Sequence, residues 1–578
     1  MMQKFLKKLA LPSFDGYALL AACLIAISSV IGYAFETTDS MEPITRSGTS
    51  MALSLVALIV IAAISYVALA YLFRWLAQKA AMPRDTSLTM KAAMKRYFPI
   101  YLGIICLCWL PWVISHYPGL VRDDAIRQLF QVYAIEPYSN GNPLFDTWVF
   151  GLFWHLGDAL GNRAVGLYIF GIIQSLLSAA SFAFMLTYMK RIGAPRVITG
   201  LSLAAICLLS IFPLAAMSMS KDSFNGWLFI LFAVLFVEMC RSRGSILKNP
   251  WFIASFAVIT ILTIATKKTM LYVVLLAFLA FFLFNKGFRI RSAVTFAPIV
   301  LVAVLLCDMF MPAVMQNGAI EKKPTSPPSS PTTFILIPLQ QTGRLLASGA
   351  EIPPEQYDQL ERFINCEQTA EIYNPRRADE VVWATKDGAT DADRSAYLAA
   401  WAKLGFEYPG IYTSAAVNQT FGWFCPFWKI GYGNDLSRDV FDDGHMENWK
   451  KYFPGGVDDA RAFLAPLDTD APALNPIQKA TDFIAMVEFE TPLVTSFGLW
   501  CTWIPFIGFC FALRQRNKRA LIAFAIPAAT LLSVLIGPMV LYWYAIPLYY
   551  VAPLMFVLGF MQESQPAAKP KHQRTLQS

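Results

Sequence analysis

The chain has 578 residues, of which 56% are hydrophobic and only 15% are charged. A soluble protein carries about a quarter charged residues, so this composition excludes a soluble globular enzyme. The apolar residues come in runs of about 20, long enough to cross a bilayer core of about 30 Å, which predicts a polytopic membrane protein. The net charge of +8 is no sign of nucleic-acid binding, because most of the excess lies in short loops and the tail, where it sets orientation.

Twelve apolar stretches are predicted as membrane spans. They lie at about 16–35, 51–73, 97–115, 164–188, 195–217, 224–240, 250–266, 270–285, 292–311, 487–513, 520–537 and 541–561. Short loops rich in lysine and arginine alternate with loops that are poor in them, so the positive-inside rule places both termini in the cytoplasm. The long polar segment between the ninth and tenth spans is then outside.

These spans divide the chain into five parts. The parts are two extra N-terminal spans with a basic loop (1–96), a membrane module (97–311), the polar segment (312–485), the last spans (486–562) and a cytoplasmic tail (563–578). Apolar periodicity and many aromatics in the polar segment predict a mainly helical extracytoplasmic domain. The predicted fold class is therefore all-α, with about 12 transmembrane helices plus interfacial helices.

Cys366 and Cys425 both lie in the polar segment. They would form a disulfide only if they meet, which sequence does not show.

A polar stretch follows the third span and organises the rest of the chain. The chain turns at Pro118-Gly119 and continues as an amphipathic helix. The apolar stripe of this helix consists of Ile126, Leu129, Phe130 and Tyr133. The residues on or near its polar side are Arg122, Asp123, Arg127, Gln128 and Gln131. Adjacent carboxylates cannot share one helix face, so either Asp123 or Asp124 points into a central cavity. Asp123 is favoured because it begins the polar side, although a solvated helix start would also explain the pair. A second interfacial helix is predicted at 145–156.

Other polar groups lie at the predicted outer boundary. Lys221-Asp222 is an interfacial salt bridge or part of a site, whereas two lysines at an outer turn, Lys267-Lys268, favour an anionic partner such as phosphate. Arg344 is either a phosphate ligand or an ordinary helix arginine. The candidates for orienting a hydroxyl-rich acceptor are His116, Arg127, Gln128 and Gln131. No cysteine or histidine spacing resembles a metal site.

Several short motifs together resemble one family. They are Tyr117-Pro118-Gly119, Asp123-Asp124, Gln128 to Gln131, Asn142-Pro143 with Thr147, Lys221-Asp222, Lys267-Lys268-Thr269, Gln340-Gln341 with Arg344, Asp379, and Phe421 to Pro426. Their layout over residues 97 to 560 resembles the GT-C membrane glycosyltransferases, the class of the protein O-mannosyltransferases and the lipid A aminoarabinose transferase, in an uncharacterised bacterial branch. Two departures concern donor-phosphate binding: the Lys267 turn lacks the usual glycine, and Tyr542 to Pro547 lacks an arginine before the proline.

The resemblance implies transfer of a sugar from a polyprenyl phosphate to an acceptor hydroxyl of a cell-wall polysaccharide, lipid or protein, at the outer face of a bacterial cytoplasmic membrane. Asp123 or Asp124 would be the base, and Asp222 a second acidic residue. The residues that would hold the lipid phosphate are Lys221, Lys267, Lys268 and Arg344. No cofactor is required, and a divalent metal is allowed.

Two other classes are compatible with the sequence. A transporter fits twelve spans with both ends inside, but no clear internal repeat and no pair of broken spans in matching halves is found. An O-antigen polymerase or ligase fits a large late external loop, but those enzymes rely on basic residues in that loop, whereas here the acidic signal lies early.

Overall fold

The computed structural model describes residues 13–82, 88–139, 141–285, 287–315, 332–429, 439–469, 472–491 and 494–561. The predicted tail at 563–578 lies outside these residues. Helices account for nearly all of the regular structure in the described part of the chain, which is an all-α polytopic membrane protein. The boundaries of the five predicted parts stay a prediction.

Among the described residues up to Leu305 there are thirteen α-helices and two short strands. They are α1 (Gly16–Thr38), α2 (Glu42–Thr45), α3 (Gly48–Ala81), α4 (Met90–Ser115), β1 (Leu120–Val121), α5 (Asp123–Val132), α6 (Leu144–Ala159), α7 (Arg163–Arg191), α8 (Arg196–Leu208), α9 (Ile211–Met217), β2 (Ser218–Met219), α10 (Lys221–Arg241), α11 (Pro250–Thr266), α12 (Met270–Phe284) and α13 (Arg289–Leu305).

The described residues from Leu306 onward contain fourteen α-helices. They are α14 (Met311–Val314), α15 (Thr332–Ala347), α16 (Pro354–Glu361), α17 (Cys366–Glu371), α18 (Asp379–Val382), α19 (Asp391–Glu407), α20 (Pro409–Thr420), α21 (Asp443–Trp449), α22 (Val457–Leu464), α23 (Asn475–Glu490), α24 (Ile504–Arg514), α25 (Lys518–Ala523), α26 (Ala525–Leu535) and α27 (Tyr542–Val557). Helix α23 crosses the boundary predicted at 485, so the polar segment and the next apolar stretch are continuous there.

Eight helices in the described residues are long and apolar enough to cross a membrane. They are α1, α3, α4, α7, α10, the continuous stretch Arg289–Val314, α25 with α26, and α27 with the turn that follows it. Helices α8 and α9, bent by 55°, make a ninth if they form one span. Three shorter apolar helices, α11, α12 and Gly498–Arg514, coincide with three further predicted spans. The count of twelve and the orientation of the termini stay predictions.

Helices α10 and α27 form the centre of the membrane part. Within their apolar windows 78% of α10 and 89% of the α27 stretch is buried, compared with 6% for α3 at the periphery. Gly226 of α10 allows this close packing, because a Cβ there would lie 2.8 Å from Ile546 Cγ2 and 2.9 Å from the ring of Tyr550. The position of the N-terminal end of α10, where Lys221 and Asp222 lie, is therefore fixed by the core of the bundle.

The two strands bring two helix starts together. β1 and β2 are parallel, with Leu120 opposite Ser218 and Val121 opposite Met219. The side-chain amide of Gln174 in α7 donates to the carbonyls of Ala216 and Ser218, at 2.9 and 2.7 Å. Each strand leads into a helix two residues later, so the N-termini of α5 and α10 lie side by side.

The polar segment has two parts with different partners. Residues between Ile335 and Tyr412 form a hydrophobic core of their own, which includes Cys366. Residues between Val440 and Leu467 instead share a core with α5, α6 and α7. Cys425 lies elsewhere, against Gly32 of α1, and both thiols are free. The disulfide that the sequence left open between Cys366 and Cys425 is not formed, because the two cysteines belong to different cores.

Helices α6 and α7 form a hairpin whose close approach depends on glycine. A Cβ on Gly166 would lie 2.0 Å from the carbonyl oxygen of Phe153. We expect Gly166→Ala to lower the free energy of unfolding by about 1–3 kcal/mol, because the backbones must separate. Thermal unfolding in detergent, monitored by intrinsic fluorescence, measures this. Gly200→Ala is the matched control, since a Cβ on Gly200 meets no atom within 4 Å. An equal loss in both variants would contradict the packing argument.

Candidate functional site

Lysine and aspartate side chains meet at the predicted outer end of the bundle. We call Asp124, Asp146, Lys221, Asp222 and Lys267 the lysine–carboxylate cluster. Each aspartate lies in the first turn of its helix, α5, α6 and α10 respectively. A negative charge in a first turn is stabilised by the positive end of the helix dipole, which favours ionised Asp124 and Asp222 at these helix starts.

Lys221 connects two of these helix starts. Its Nζ lies 2.6 Å from Asp124 Oδ2 and donates to Asn142 Oδ1, just before α6, at 2.8 Å. Desolvation by the surrounding protein raises the pKa of Asp124, but the charge and hydrogen bond of Lys221 outweigh it, so this pKa lies below its ordinary value of 3.8. The Asp124 side chain is still 51% exposed. An ionised carboxylate is thus open to solvent, and we call the space beside it the recess.

Asp222 and Lys267 form the buried half of the cluster. The Lys267 ammonium is paired with Asp222 Oδ1, and their side chains are only 10% and 5% exposed, respectively. Asn225 of α10 fixes the end of α11 by donating to the Thr263 carbonyl at 2.9 Å and to Thr266 Oγ1 at 2.8 Å. Lys267 also lies over the ring of Tyr544 in α27, 5.7 Å from its centroid. The pair therefore ties α10, α11 and α27 together.

Asp146 is fully buried, and neither of its carboxylate oxygens has a hydrogen-bond partner in the described structure. Desolvation raises the pKa of Asp146 well above its ordinary value of 3.8. The charge of Lys221 partly opposes this rise, and the charge of Asp222 adds to it. An unpaired charge at this depth would be very unfavourable, so the carboxyl is neutral. The cluster therefore combines an ionised carboxylate, Asp124, with a protonated one, Asp146.

The neutral state of Asp146 has a consequence for stability. Because its pKa is raised in the folded protein, the folded state holds a proton that the unfolded state releases, and stability falls as pH rises from about 4 toward the folded pKa. We expect Asp146→Asn to remove this fall and to be more stable than wild type at pH 7. Thermal unfolding between pH 4 and pH 8 measures the difference. Parallel profiles for the two proteins would show that Asp146 is ionised.

Two further charged groups lie at the rim of the cluster. Lys268 is exposed, and its pKa is lowered by desolvation and by the charge of Lys221, against the opposing charge of Asp308. Asp379 of α18 comes from the polar segment. Its pKa is raised by desolvation and, in smaller measure, by Glu380 and Asp124, although Arg377 opposes this. The polar segment therefore places an acidic group near Asp124.

Residues 136–574 match a family model whose description is a family of unknown function, DUF6020. The chain belongs to DUF6020. Neither the curated proteins nor the solved structures include a match to the chain. The matched region of DUF6020 contains Asp146, Lys221, Asp222 and Lys267, whereas Asp124 precedes it.

Asp124 joins the cluster in this DUF6020 protein, and the favoured Asp123 does not. Asp123 instead faces His445, whose Nε2 lies 3.4 Å from Asp123 Oδ1. One residue along an α-helix corresponds to a turn of about 100°, so neighbouring carboxylates diverge as expected, but it is the second that turns toward α10. The structure thus pairs Asp124 with Lys221 and Asp123 with His445, and the preference for Asp123 as the cavity-facing carboxylate stays a prediction.

Gln128 and Gln131, predicted on or near the polar side of α5, are not exposed to solvent. Both are buried against the rest of the protein, and their amides donate to Thr147 Oγ1 at 2.8 Å and to Ser139 Oγ at 3.2 Å. The polar segment covers α5, so a helix with one predicted solvent side is enclosed on two sides. These glutamines hold α5 to α6 and to the loop between these helices.

The remaining predicted residues contact other parts of the molecule. Arg127 pairs with Glu136. His116 Nδ1 and Ser115 Oγ share a hydrogen bond of 2.9 Å. The Nε2 atom of His116 lies 3.4 Å from Asp482 Oδ1 in α23. Arg344 donates to the Asp39 carbonyl at 2.7 Å and contacts Tyr373. The structure does not bring His116 or Arg344 to the lysine–carboxylate cluster, whereas Arg127 lies near enough for its charge to lower the pKa of Asp124.

Asp146 was not predicted as a site residue from the sequence, and Asp379 was named only as part of the family resemblance. Asp146 stands between Phe145 and Thr147 in an aromatic helix, and its only signal was a carboxyl in an otherwise apolar sequence. No set of three or more histidine, cysteine or acidic side chains close enough to hold a metal ion occurs among the described residues. An apolar cavity of about 680 Å³ is lined by α12, α24, α25 and α26, and the charged residue in its lining is Lys518.

Proposed function

We propose that this DUF6020 protein is a membrane glycosyltransferase of the GT-C type, which moves a sugar from a polyprenyl-phosphate donor to an acceptor hydroxyl. The observation that carries the proposal is the ionised, half-exposed Asp124 held against Lys221 where three helices begin. A base, a cation for a phosphate and an open recess next to membrane-length helices are what such a reaction requires.

The proposed reaction exchanges one C–O bond for another. The acceptor oxygen bonds to the anomeric carbon of the sugar with inversion, Asp124 takes the hydroxyl proton, and the bond from that carbon to the phosphate oxygen breaks. Polyprenyl phosphate leaves with the bonding electron pair. Asp124 suits the role of base because it is ionised at neutral pH and open to solvent.

The leaving phosphate would be stabilised by Lys221 and the exposed Lys268, together with the N-termini of the surrounding helices. Lys267 is a weaker candidate than the sequence indicated, because Asp222 already occupies its ammonium inside the protein. Asp222 would accordingly position Lys267, Tyr544 and the end of α11, without contacting the acceptor.

Lys221 would serve both substrates in turn. In the free protein it holds Asp124 at low basicity through the 2.6 Å contact. A donor phosphate that draws this ammonium away would raise the basicity of Asp124 at the moment when an acceptor is to be deprotonated. The site would thus become active only when a donor is bound.

The protein would act in a bacterial cytoplasmic membrane, with the cluster outside and both termini inside. Its partners would be the polyprenyl-phosphate sugar and a polysaccharide, lipid or protein acceptor. No cofactor is required by the chemistry drawn above, and a divalent metal would assist only as an additional phosphate ligand.

The test is donor consumption in proteoliposomes. Purified protein is given a panel of polyprenyl-phosphate sugars together with cell-envelope extract, and empty liposomes are the control. Loss of donor with formation of a new glycoside supports the proposal. Solute uptake into the same vesicles without loss of any donor would instead support the transporter alternative and would refute the proposal.

A further inference from the structure

The polar segment contains a cavity that the proposed reaction leaves unexplained. It has a volume of about 600 Å³ and lies between the end of α17 and α18. This volume is within the range of about 300–1,000 Å³ of small-molecule sites. The residues that matter for its chemistry are Gln368, Glu371, Tyr373, Asn374, Glu380 and Trp383.

Trp383 is a large aromatic residue that is open to solvent. Its side chain is 68% exposed, whereas Leu360 and Phe363 are buried; Phe406, elsewhere in the polar segment, is also exposed, at 90%. Tyr373 provides a second aromatic side in the same cavity, and Arg344 holds its hydroxyl at 3.4 Å. Exposing an indole costs free energy that a ligand on its face would recover.

The polar groups around Trp383 are planar acceptors and amides. Glu371 and Glu380 contribute carboxylates, while Gln368 and Asn374 contribute carboxamides. The wall that carries Asn374 is rigid, because buried Gln340 donates to the carbonyls of Asn374 and Pro375 at 2.7 and 3.1 Å. Asn374 Oδ1 also accepts from the backbone N–H of Arg376 at 3.0 Å, which fixes the direction of its amide.

This combination of groups matches one ligand chemistry. The C–H face of a sugar ring packs on an indole, and its hydroxyls both donate to carboxylates and accept from amides. A purely apolar ligand would cover polar side chains such as Gln368 and Glu371 without pairing them. An anionic ligand would meet the carboxylates of Glu371 and Glu380, of which Glu380 faces Arg377 at 3.9 Å. A neutral saccharide satisfies both the aromatic surface and the polar groups.

Short helix α18 connects this cavity to the cluster. Asp379, at its first residue, is near enough to Asp124 for the Asp124 charge to raise its pKa, while Glu380 and Trp383 line the cavity. The helix is held in place from the membrane part, since the Ala378 N–H donates to the Pro538 carbonyl at 2.9 Å. Arg377 pairs with Asp379 at 3.5 Å between the two sites.

We propose that the cavity beside Trp383 binds a neutral saccharide, the acceptor chain, and presents its end to Asp124. This inference rests on the proposed glycosyl transfer and narrows its acceptor to a carbohydrate. Trp383 is a binding residue and not a catalytic one. Its loss weakens acceptor binding and raises the acceptor KM, whereas the turnover of bound acceptor at Asp124 is unchanged.

The binding experiment uses the full-length protein in nanodiscs and a panel of neutral oligosaccharides built from glucose, mannose, galactose and N-acetylglucosamine. Saturation-transfer NMR detects a bound member, and titration gives its affinity. We expect Trp383→Ala to weaken that affinity about tenfold and Trp383→Phe, which keeps a flat ring, to stay within about threefold of wild type. Trp251→Ala is the matched control, because Trp251 is 81% exposed and lies at the start of α11.

The outcomes separate this inference from the proposed function. The saccharide site is overturned if no panel member binds, or if wild type and Trp383→Ala bind with equal affinity. In that case, Asp124-dependent transfer by the same protein would still support the glycosyltransferase. Binding that depends on Trp383 in a protein that transfers no sugar supports the site and overturns the enzyme. The fluorescence of Trp383 is the part of the emission that is lost in Trp383→Phe. If brominated lipids quench this fluorescence, Trp383 is a membrane anchor and the saccharide site is refuted.

Discussion

Asp124→Asn is expected to lower sugar transfer about a thousandfold, because a positioned general base contributes about 10²–10⁴ in rate. The asparagine keeps the shape of the side chain and still accepts a hydrogen bond from Lys221, so the recess should keep its geometry. Initial rates in proteoliposomes with equal amounts of folded protein measure the loss.

Asp123→Asn is the matched control for that loss. The two carboxylates are adjacent and both about 51% exposed, but Asp123 faces His445 and not Lys221. We expect its transfer rate to stay within about threefold of wild type. The opposite result, with Asp123→Asn inactive and Asp124→Asn active, would return the role of base to the residue that the sequence favoured.

Lys267→Met is expected to lower the free energy of unfolding by about 3–5 kcal/mol, because it leaves the Asp222 carboxylate buried without its cation. Asp222→Asn should destabilise in the same way through the Lys267 ammonium. Denaturant unfolding in mixed micelles, followed by intrinsic fluorescence, measures both variants.

The double variant Asp222→Asn/Lys267→Met isolates the interaction between the two charges. We expect it to be more stable than either single variant, because no uncompensated buried charge remains. Lys450→Met is a control from the surface: Lys450 and Glu447 are 51% and 59% exposed, and their pair should contribute less than about 1 kcal/mol. Additive losses in the double variant would show that the two residues stabilise the fold separately.

The membrane character and most helices could be predicted because they depend on local composition. Apolar runs of fixed length and the alternation of basic loops are properties of the chain itself. The pairing of Lys221 with Asp124 was not predictable in this way. It depends on the pairing of β1 with β2, which brings together two stretches about 100 positions apart in the chain. Sequence analysis did identify both turns as sites of interest.

What could not be predicted at the site has one physical origin. Helical periodicity separates an apolar stripe from a polar side, but it does not tell which partner covers the polar side. Gln128 and Gln131 are buried because residues 440–467 of the polar segment pack with α5 and α6. Asp146 was overlooked because an apolar sequence around one carboxyl looks like a membrane-facing helix until the depth of its burial is known.

The most direct test of the central claim is the balance of products from a consumed donor. For each polyprenyl-phosphate sugar lost by wild-type protein in proteoliposomes, we expect one glycosidic bond to the acceptor and one polyprenyl phosphate. Both products should fall about a thousandfold with Asp124→Asn. Release of free sugar in place of a glycoside, or equal product from wild type and Asp124→Asn, would contradict the assignment of this site as a glycosyltransferase centre.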